Sequence, residues 1–408
     1  MPQDATPPHA KLDALRDRLL LDGLNGAPFE ALLAAFGTGL NEAGIAATRI
    51  HVTMRTNNPA FGSIAHRWLR EEGTHLESFP RRESHSENWL QSPLLYLLTI
   101  EDDELRQRLD DPNPTHDFQV FDDFRALGAT DYVLFKRFFT PNRTILNAES
   151  AVLPEGCLMS ITMDGAGGYS DDDLAAIRAL LPSLLISLKS LSNRQMAKDI
   201  AETYLGRDAG QRVLSGDIVR GSVEKREAVI CYFDLSGFTK LSEQLEGDTL
   251  IAMLNAYFDA AVEIVHAHGG NVLKFMGDGM LAIFDVDACE NANIAAIEAT
   301  IDLRDGIQRL NAERTADDLP TTGFTLALHR GEVRYGNIGG KTRLDFTVIG
   351  PAVNTTARLS AMCAHVDQPI VIGANVARPC LELRSDLVSL GQYRLRGVAD
   401  RQELYTLD

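Results

Sequence analysis

The feature that most constrains this chain is an almost unbroken apolar run, Ala228-Val229-Ile230-Cys231-Tyr232-Phe233, that stops at Asp234. An amphipathic helix or a half-exposed strand would interleave polar residues with a period of about 3.6 or 2. A run without them fits a strand covered on both faces, inside a sheet. The carboxylate that follows then emerges where the strand ends. A second acid has a similar setting, because Asp278 sits in Gly277-Asp278-Gly279 between the strand-like segments 272–276 and 280–284. That arrangement is a compact hairpin tip. Carboxylates at neighbouring strand ends can converge on a hard cation, and flanking glycines let backbone and phosphate approach closely. Two such acids holding two Mg²⁺ ions suit phosphoryl or nucleotidyl transfer, in which the metals bracket the attacking and leaving oxygens. Taken singly, D-x-x-G and G-D-G are also ordinary turn sequences.

The surrounding pattern places these acids in an α+β domain. From 226 onward the order reads strand, helix, helix, strand-turn-strand, helix, strand, helix, strand. Residues 250–268 form an amphipathic helix ended by Gly269-Gly270, and 292–310 form another. Phe324-Thr325-Leu326-Ala327-Leu328 is a strand, and Phe346-Thr347-Val348-Ile349 leads through Gly350-Pro351 into a helix carrying Asn354 and Arg358. Proline suits the first turn of that helix. Asn354 and Arg358 are four apart and therefore share a helical face.

Composition limits the partners. A chain of 408 residues, 45% hydrophobic and 24% charged, holds about two to three globular domains. The 57 acids against 39 Lys and Arg give a net charge of −18, which argues against nucleic acid or an anionic membrane surface as the main partner. No apolar run approaches the ~18–20 residues of a membrane span, and the polar start lacks the order of a signal peptide. Cys157, Cys231, Cys289, Cys363 and Cys380 are scattered, without a C-x-x-C pair. Buried thiols in a reducing cytoplasm are the expectation.

Four segments occur in one order: 233–239 (FDLSGFT), 270–279 (GNVLKFMGDG), 331–339 (GEVRYGNIG) and 345–359 (DFTVIGPAVNTTARL). Together they resemble the catalytic domain of class III nucleotide cyclases, over about residues 226–408. The resemblance implies a ferredoxin-like βααββαβ domain that forms a head-to-tail homodimer, with two Mg²⁺ (or Mn²⁺) ions per site. By position, it implies that Asp234 and Asp278 hold the metals, with Leu235 in the metal set and Gly237 and Phe238 beside the substrate. Lys274 and Thr347 match the base-reading pair, Asn354 the residue that orients the ribose, and Arg358 the residue that stabilises the transition state. The family splits each site, with both aspartates from one chain and the other four residues from its partner. Leu395-Arg396-Gly397-Val398 resembles the segment that carries a cation for the triphosphate, which makes Arg396 a candidate; a surface arginine is the other reading.

The base-reading pair implies the substrate. Adenine offers an N6 amino donor and an N1 acceptor, and guanine reverses these. Lys274 only donates and suits N1, and the Thr347 hydroxyl can accept from N6. Guanylate cyclases of the family usually carry Glu and Cys at these positions, so the chain resembles the Thr-type adenylate cyclases. Some members of that subgroup respond to bicarbonate. A hydroxyl also donates, so it excludes GTP less firmly than the more common Asp would. A guanylate or dual-specificity cyclase, and a non-catalytic nucleotide-sensing dimer, remain as alternatives. Pro351 departs from the Asp often found there.

The first half carries a weaker signal. Residues 1–11 read as a loose polar end, 12–42 as helical with a break at Gly23 and Gly26, and 50–54, 132–135 and 158–163 as strands. The segments 127–133, 156–163 and 168–174 resemble the second half of a GAF domain, which implies a small-molecule or protein-regulated sensor over 12–192; a PAS-like domain is the alternative. The helix from Ser170 carries Leu174, Ile177, Leu181, Leu184, Leu188 and Leu191 at alternating steps of 3 and 4. Two readings fit: a helix packed on its own domain, or a dimer stalk. Residues 193–225 read as a helical linker. His51, His66, His75, His85 and His116 form no ligand-spaced pair.

Overall fold

A computed structural model describes residues 7–55, 61–80, 87–139 and 155–408. Residues 1–6 of the expected loose end and His85 lie outside the described residues. The chain divides into two compact units, Met1–Ile200 and Ala201–Asp408.

In the first unit the predicted break falls at Gly26, at φ +73, between α1 (Pro8–Leu24) and α2 (Phe29–Glu42); Gly23, also expected to break the run, is instead buried inside α1. The loose end expected over 1–11 gives way to helix at Pro8, where proline occupies the first turn. The strands are β1 (Ala47–Arg55), β2 (Phe61–Leu69), β3 (Gly73–Pro80), β4 (Glu104–Arg108), β5 (Asp131–Phe138) and β6 (Gly156–Met163). They form an antiparallel sheet of order β3-β2-β1-β6-β5-β4. Between them lie α3 (Glu87–Leu90), α4 (Pro93–Thr99) and α5 (Gln119–Ala126), and α6 (Asp171–Leu205) follows.

The period-2 alternation of β5 sends Val133 and Phe135 into one core with α1, α2 and α6. Tyr132 and Leu134 go into a second core with α4 and α5. The sheet is thus sandwiched between helical layers. His51 is buried in β1, and burial together with the nearby Arg49 and Arg67 charges pushes it down to about 3, so it is neutral.

Helix α6 begins with a reciprocal cap. Ser170 Oγ accepts from the Asp173 N–H at 3.1 Å, and the Asp173 carboxylate accepts from the Ser170 N–H at 2.9 Å. Leu174, Ile177, Leu181, Leu184 and Leu188 are buried in this unit's own core, and Leu191 packs against it. The seam therefore serves the domain, which is the first of the two readings. By length and composition alone α6 and α9 (Gly247–Ala267) are apolar enough to cross a membrane, a point that the residue-by-residue reading missed. In each helix polar residues interrupt the apolar ones, so no unbroken run stands out although the mean hydropathy is high.

In the second unit α7 (Arg207–Leu214) precedes β7 (Val223–Leu235), so part of the expected linker is helix and part is strand. Then come α8 (Phe238–Gln244), α9, β8 (Asn271–Met276), β9 (Gly279–Asp285), α10 (Ala292–Ala316) and β10 (Phe324–Gly339). This is the expected βααββαβ order. It is followed by β11 (Leu344–Ile349), α11 (Pro351–Val366), β12 (Ile370–Gly373), α12 (Ala374–Ala377), β13 (Leu387–Tyr393) and β14 (Gln402–Leu407). The sheet order is β13-β14-β12-β10-β7-β9-β8, with β11 paired to β10. The apolar run lies in β7, which has β9 on one side and β10 on the other. Val229, Cys231 and Phe233 enter the core under α9 and α10. Ala228 and Ile230 enter a second core with α7 and β11. Burial on both faces is what the run required. Cys157, Cys231, Cys363 and Cys380 are buried and Cys289 is half-buried, all as free thiols.

Candidate functional site

Asp234 ends the apolar part of β7, paired with Gly279 of β9 and Thr325 of β10. The Leu235 N–H donates to the Asp278 carbonyl at 3.2 Å, which ties the two acid-bearing segments together. Leu235 buries its side chain in the core, so only its backbone is available here. Gly237 turns the chain at φ +69, a conformation suited to glycine, and Gly277 does the same at the hairpin tip. Phe238 opens α8 and packs against the core. A Cβ at Gly279 would stand 2.7 Å from Asp234 Oδ1. Its absence leaves room for the carboxylate.

Burial, and then the Asp278 charge, push the Asp234 carboxyl up to about 6. Its folded value exceeds the ordinary ~3.9, so ionising Asp234 costs the folded state, and the cost is complete above about pH 6. In chelator, Asp234→Asn is therefore expected to melt higher than the parent by roughly 2–4 °C at pH 8. The gap should close toward pH 4, as read by thermal unfolding across that range. A variant that melts lower at pH 8 contradicts the electrostatic account.

A second group forms around Lys274. Its Nζ donates to Asp345 Oδ2 at 2.9 Å, joining β8 to β11. Asp345 and Thr347 are two apart on β11 and share a face. Thr347 is 6% exposed, and its Oγ1 is buried with no hydrogen-bond partner among the described residues. Such a hydroxyl is costly unless something supplies a partner. Thr347 is paired with Gly336, which is level with Val223, at the opposite end of β7 from Asp234. A third group lies on α11, where Asn354 is exposed and Arg358 is half-buried one turn on. The Arg358 guanidinium lies against Gly397, at 3.3 Å from where a Cβ would stand. Arg396, next to Gly397 in the chain, is exposed, and so are Arg334 and Arg343 elsewhere in the unit.

One chain thus gathers its sequence-predicted residues into an acid group, a Lys274–Thr347 group and an α11 group. The sequence reading gave no role to Asp345 or Gly397, and it read Gly279 only as a glycine flanking Asp278 at the hairpin tip. Asp345 was legible in principle, because the period of 2 sets it beside Thr347.

Residues 222–408 match the family described as the adenylate and guanylate cyclase catalytic domain. Adenylate cyclase 1 of Rhizobium meliloti (strain 1021) is 26% identical over 185 residues, which are 44% of this chain and 27% of that protein. The adenylate cyclase of Anabaena cylindrica is 30% identical over 162 residues, 39% of this chain and 32% of that protein. The matched region is thus about a third or less of the length of these relatives. The crystal structure of the adenylyl cyclase CyaB from P. aeruginosa is similar over 46% of this chain and 96% of its own. Its identity is 24% and its TM-score 0.42.

Proposed function

Residues 222–408 belong to the class III nucleotide cyclase family, and from that premise we propose that the protein is an adenylate cyclase. It converts ATP to 3′,5′-cyclic AMP and pyrophosphate at sites completed by a second copy of the chain. The dimer follows from the family resemblance, in which each site is split between two chains. The acids of one protomer would meet Lys274, Thr347, Asn354 and Arg358 of the other.

The acid group fits divalent metal. Asp234 and Asp278 are hard oxygen ligands, the Leu235 carbonyl is a third, and nucleotide phosphates complete the set. The raised Asp234 reflects burial and mutual repulsion that a cation relieves. The described residues include no group of three or more His, Cys, Asp or Glu that could hold a metal by itself, so substrate oxygens are part of the fit. When bound, Mg²⁺ or Mn²⁺ lowers the pKa of the ribose 3′-hydroxyl and neutralises the phosphates. Asp234 can also accept the proton of that hydroxyl. Gly237 keeps bulk away from the triphosphate, and Phe238, its ring packed against the core, offers its backbone beside it. Arg358 meets charge that grows on the α-phosphate and the bridging oxygen as pyrophosphate leaves. Asn354 orients the ribose from the same face of α11. Arg396 adds a cation for the triphosphate.

The observation that carries the ATP reading is the Lys274–Asp345 pair beside the unpartnered Thr347 hydroxyl. Asp345 holds Lys274 by one of its three donors, and Lys274 offers the others to purine N1. Thr347 gains its missing partner from the N6 amino group. Lys274→Glu combined with Thr347→Cys is expected to shift preference toward GTP by at least about tenfold, measured with both nucleotides in one assay. Unchanged preference refutes this account of base reading.

We read the first unit as a GAF-like sensor that regulates the cyclase in response to a small molecule or a protein. The antiparallel sheet between helical layers supports that reading. We place the enzyme in the cytoplasm.

A further inference from the structure

Behind the loop that follows Asp234 lies a closed ring of neutral hydrogen bonds. Tyr257 of α9 is fully buried, and its hydroxyl donates to Asn311 Oδ1 of α10. Asn311 Nδ2 donates to the Thr322 carbonyl at 2.9 Å. The Thr322 N–H returns to Tyr257 Oη at 3.0 Å. One arm of the ring points toward the site. The Thr322 hydroxyl donates to the Ser236 carbonyl at 2.7 Å, with the Gly323 carbonyl at a longer 3.2 Å. The Ser236 N–H donates to the Gly323 carbonyl at 2.9 Å. Ser236 is therefore held at both backbone polar groups, two residues after Asp234 and one before Gly237.

The loop needs that hold. Gly237 stands at φ +69 with no heavy atom within 4 Å of the place of its Cβ, so nothing packs on Gly237 itself; Leu235 and Phe238 anchor the chain on either side, and between them the Ser236 peptide relies on hydrogen bonds. Glycine loses more freedom on ordering than any other residue. Tyr257, by contrast, belongs to the main core of the unit, and Asn311 sits on a 25-residue helix packed into it. The ring carries the rigidity of that core to the loop.

We propose that Thr322 is a positioning residue. Its hydroxyl fixes the Ser236 peptide so that the Leu235 carbonyl and the backbone of Gly237 and Phe238 stay in register with the Asp234 and Asp278 carboxylates. This rests on the reading of those acids as the cation and phosphate site. The hydroxyl is the part of the Thr322 side chain that bonds to the loop, so a methyl in its place removes the hold while keeping the shape.

Thr322→Val and Thr322→Ser separate positioning from folding. In ligand-free protein, hydrogen–deuterium exchange of segment 235–240 is expected to quicken by about tenfold in Thr322→Val, and to stay near the parent in Thr322→Ser. The Mg²⁺ concentration for half-maximal rate is expected to rise about tenfold in Thr322→Val, with the KM for ATP at saturating Mg²⁺ nearly unchanged. Tyr257→Phe, which opens the ring at its far end, is expected to move both readouts the same way by less. Parent-like exchange and Mg²⁺ dependence in Thr322→Val overturn the proposal. So does a Thr322→Ser variant as impaired as Thr322→Val, which marks a packing role. If Asp234→Ala turns over at the parent rate, the site reading itself fails. If Asp234→Ala is inactive and Thr322→Val behaves as the parent, only the positioning role fails.

Discussion

Asp234→Asn is expected to leave the C-terminal unit folded and to lower turnover by about 10³-fold, a loss of roughly 4 kcal/mol of transition-state stabilisation. The substitution keeps size and shape, and Asp234 makes no side-chain hydrogen bond that the fold relies on among those described; its neighbours are Gly279 and the strands on either side. What it removes is a charged oxygen ligand, and with it a proton acceptor. Folding and activity should therefore part in opposite directions. The metal-free variant melts higher above pH 6, because the penalty on the raised carboxyl is gone. A variant that loses activity only in step with folded fraction argues that Asp234 is structural. Full turnover removes the metal assignment altogether.

Arg358→Ala is expected to cost about 10²–10³-fold in kcat, the range for removing one preorganised group that meets developing charge. Its more informative consequence appears on mixing. If each site takes its acids from one protomer and Arg358 from the other, a heterodimer of Asp234→Asn and Arg358→Ala chains has one doubly damaged site and one intact site. Random exchange in an equal mixture then restores roughly a quarter of parent activity. A site built within one chain gives no restoration. The experiment rests on the family resemblance, which takes the acids of a site from one chain and Arg358 from the other. Activity that stays at the level of the separate variants contradicts the shared site.

How legible each part was depended on whether it left a local signature. Burial on both faces left one in 228–233, because such a strand tolerates few polar residues, and the structure places it between β9 and β10. The glycines around Asp278 likewise marked a tip, since Gly277 takes a backbone conformation there that other residues resist. The seam of α6 was legible as a seam but not as a choice. Steps of 3 and 4 look the same whether leucines face a partner or their own sheet, and only packing in space decides between them; Ile177 and Leu184 prove to face their own core. The ring behind Ser236 left no signature at all. Tyr257 and Asn311 are 54 positions apart and Tyr257 and Thr322 are 65 apart. Each residue alone reads as an ordinary polar residue near a helix or a strand end. The Lys274–Asp345 pair spans 71 positions and was equally silent.

The central claim is the reaction, and a single product analysis tests it most directly. Full-length protein is incubated with Mg²⁺ or Mn²⁺ and equal concentrations of ATP and GTP, and the products are separated. The account predicts 3′,5′-cyclic AMP with one pyrophosphate released per cycle, and cyclic GMP as the minor product. Cyclic GMP as the main product, or ATP bound without turnover in either metal, contradicts it.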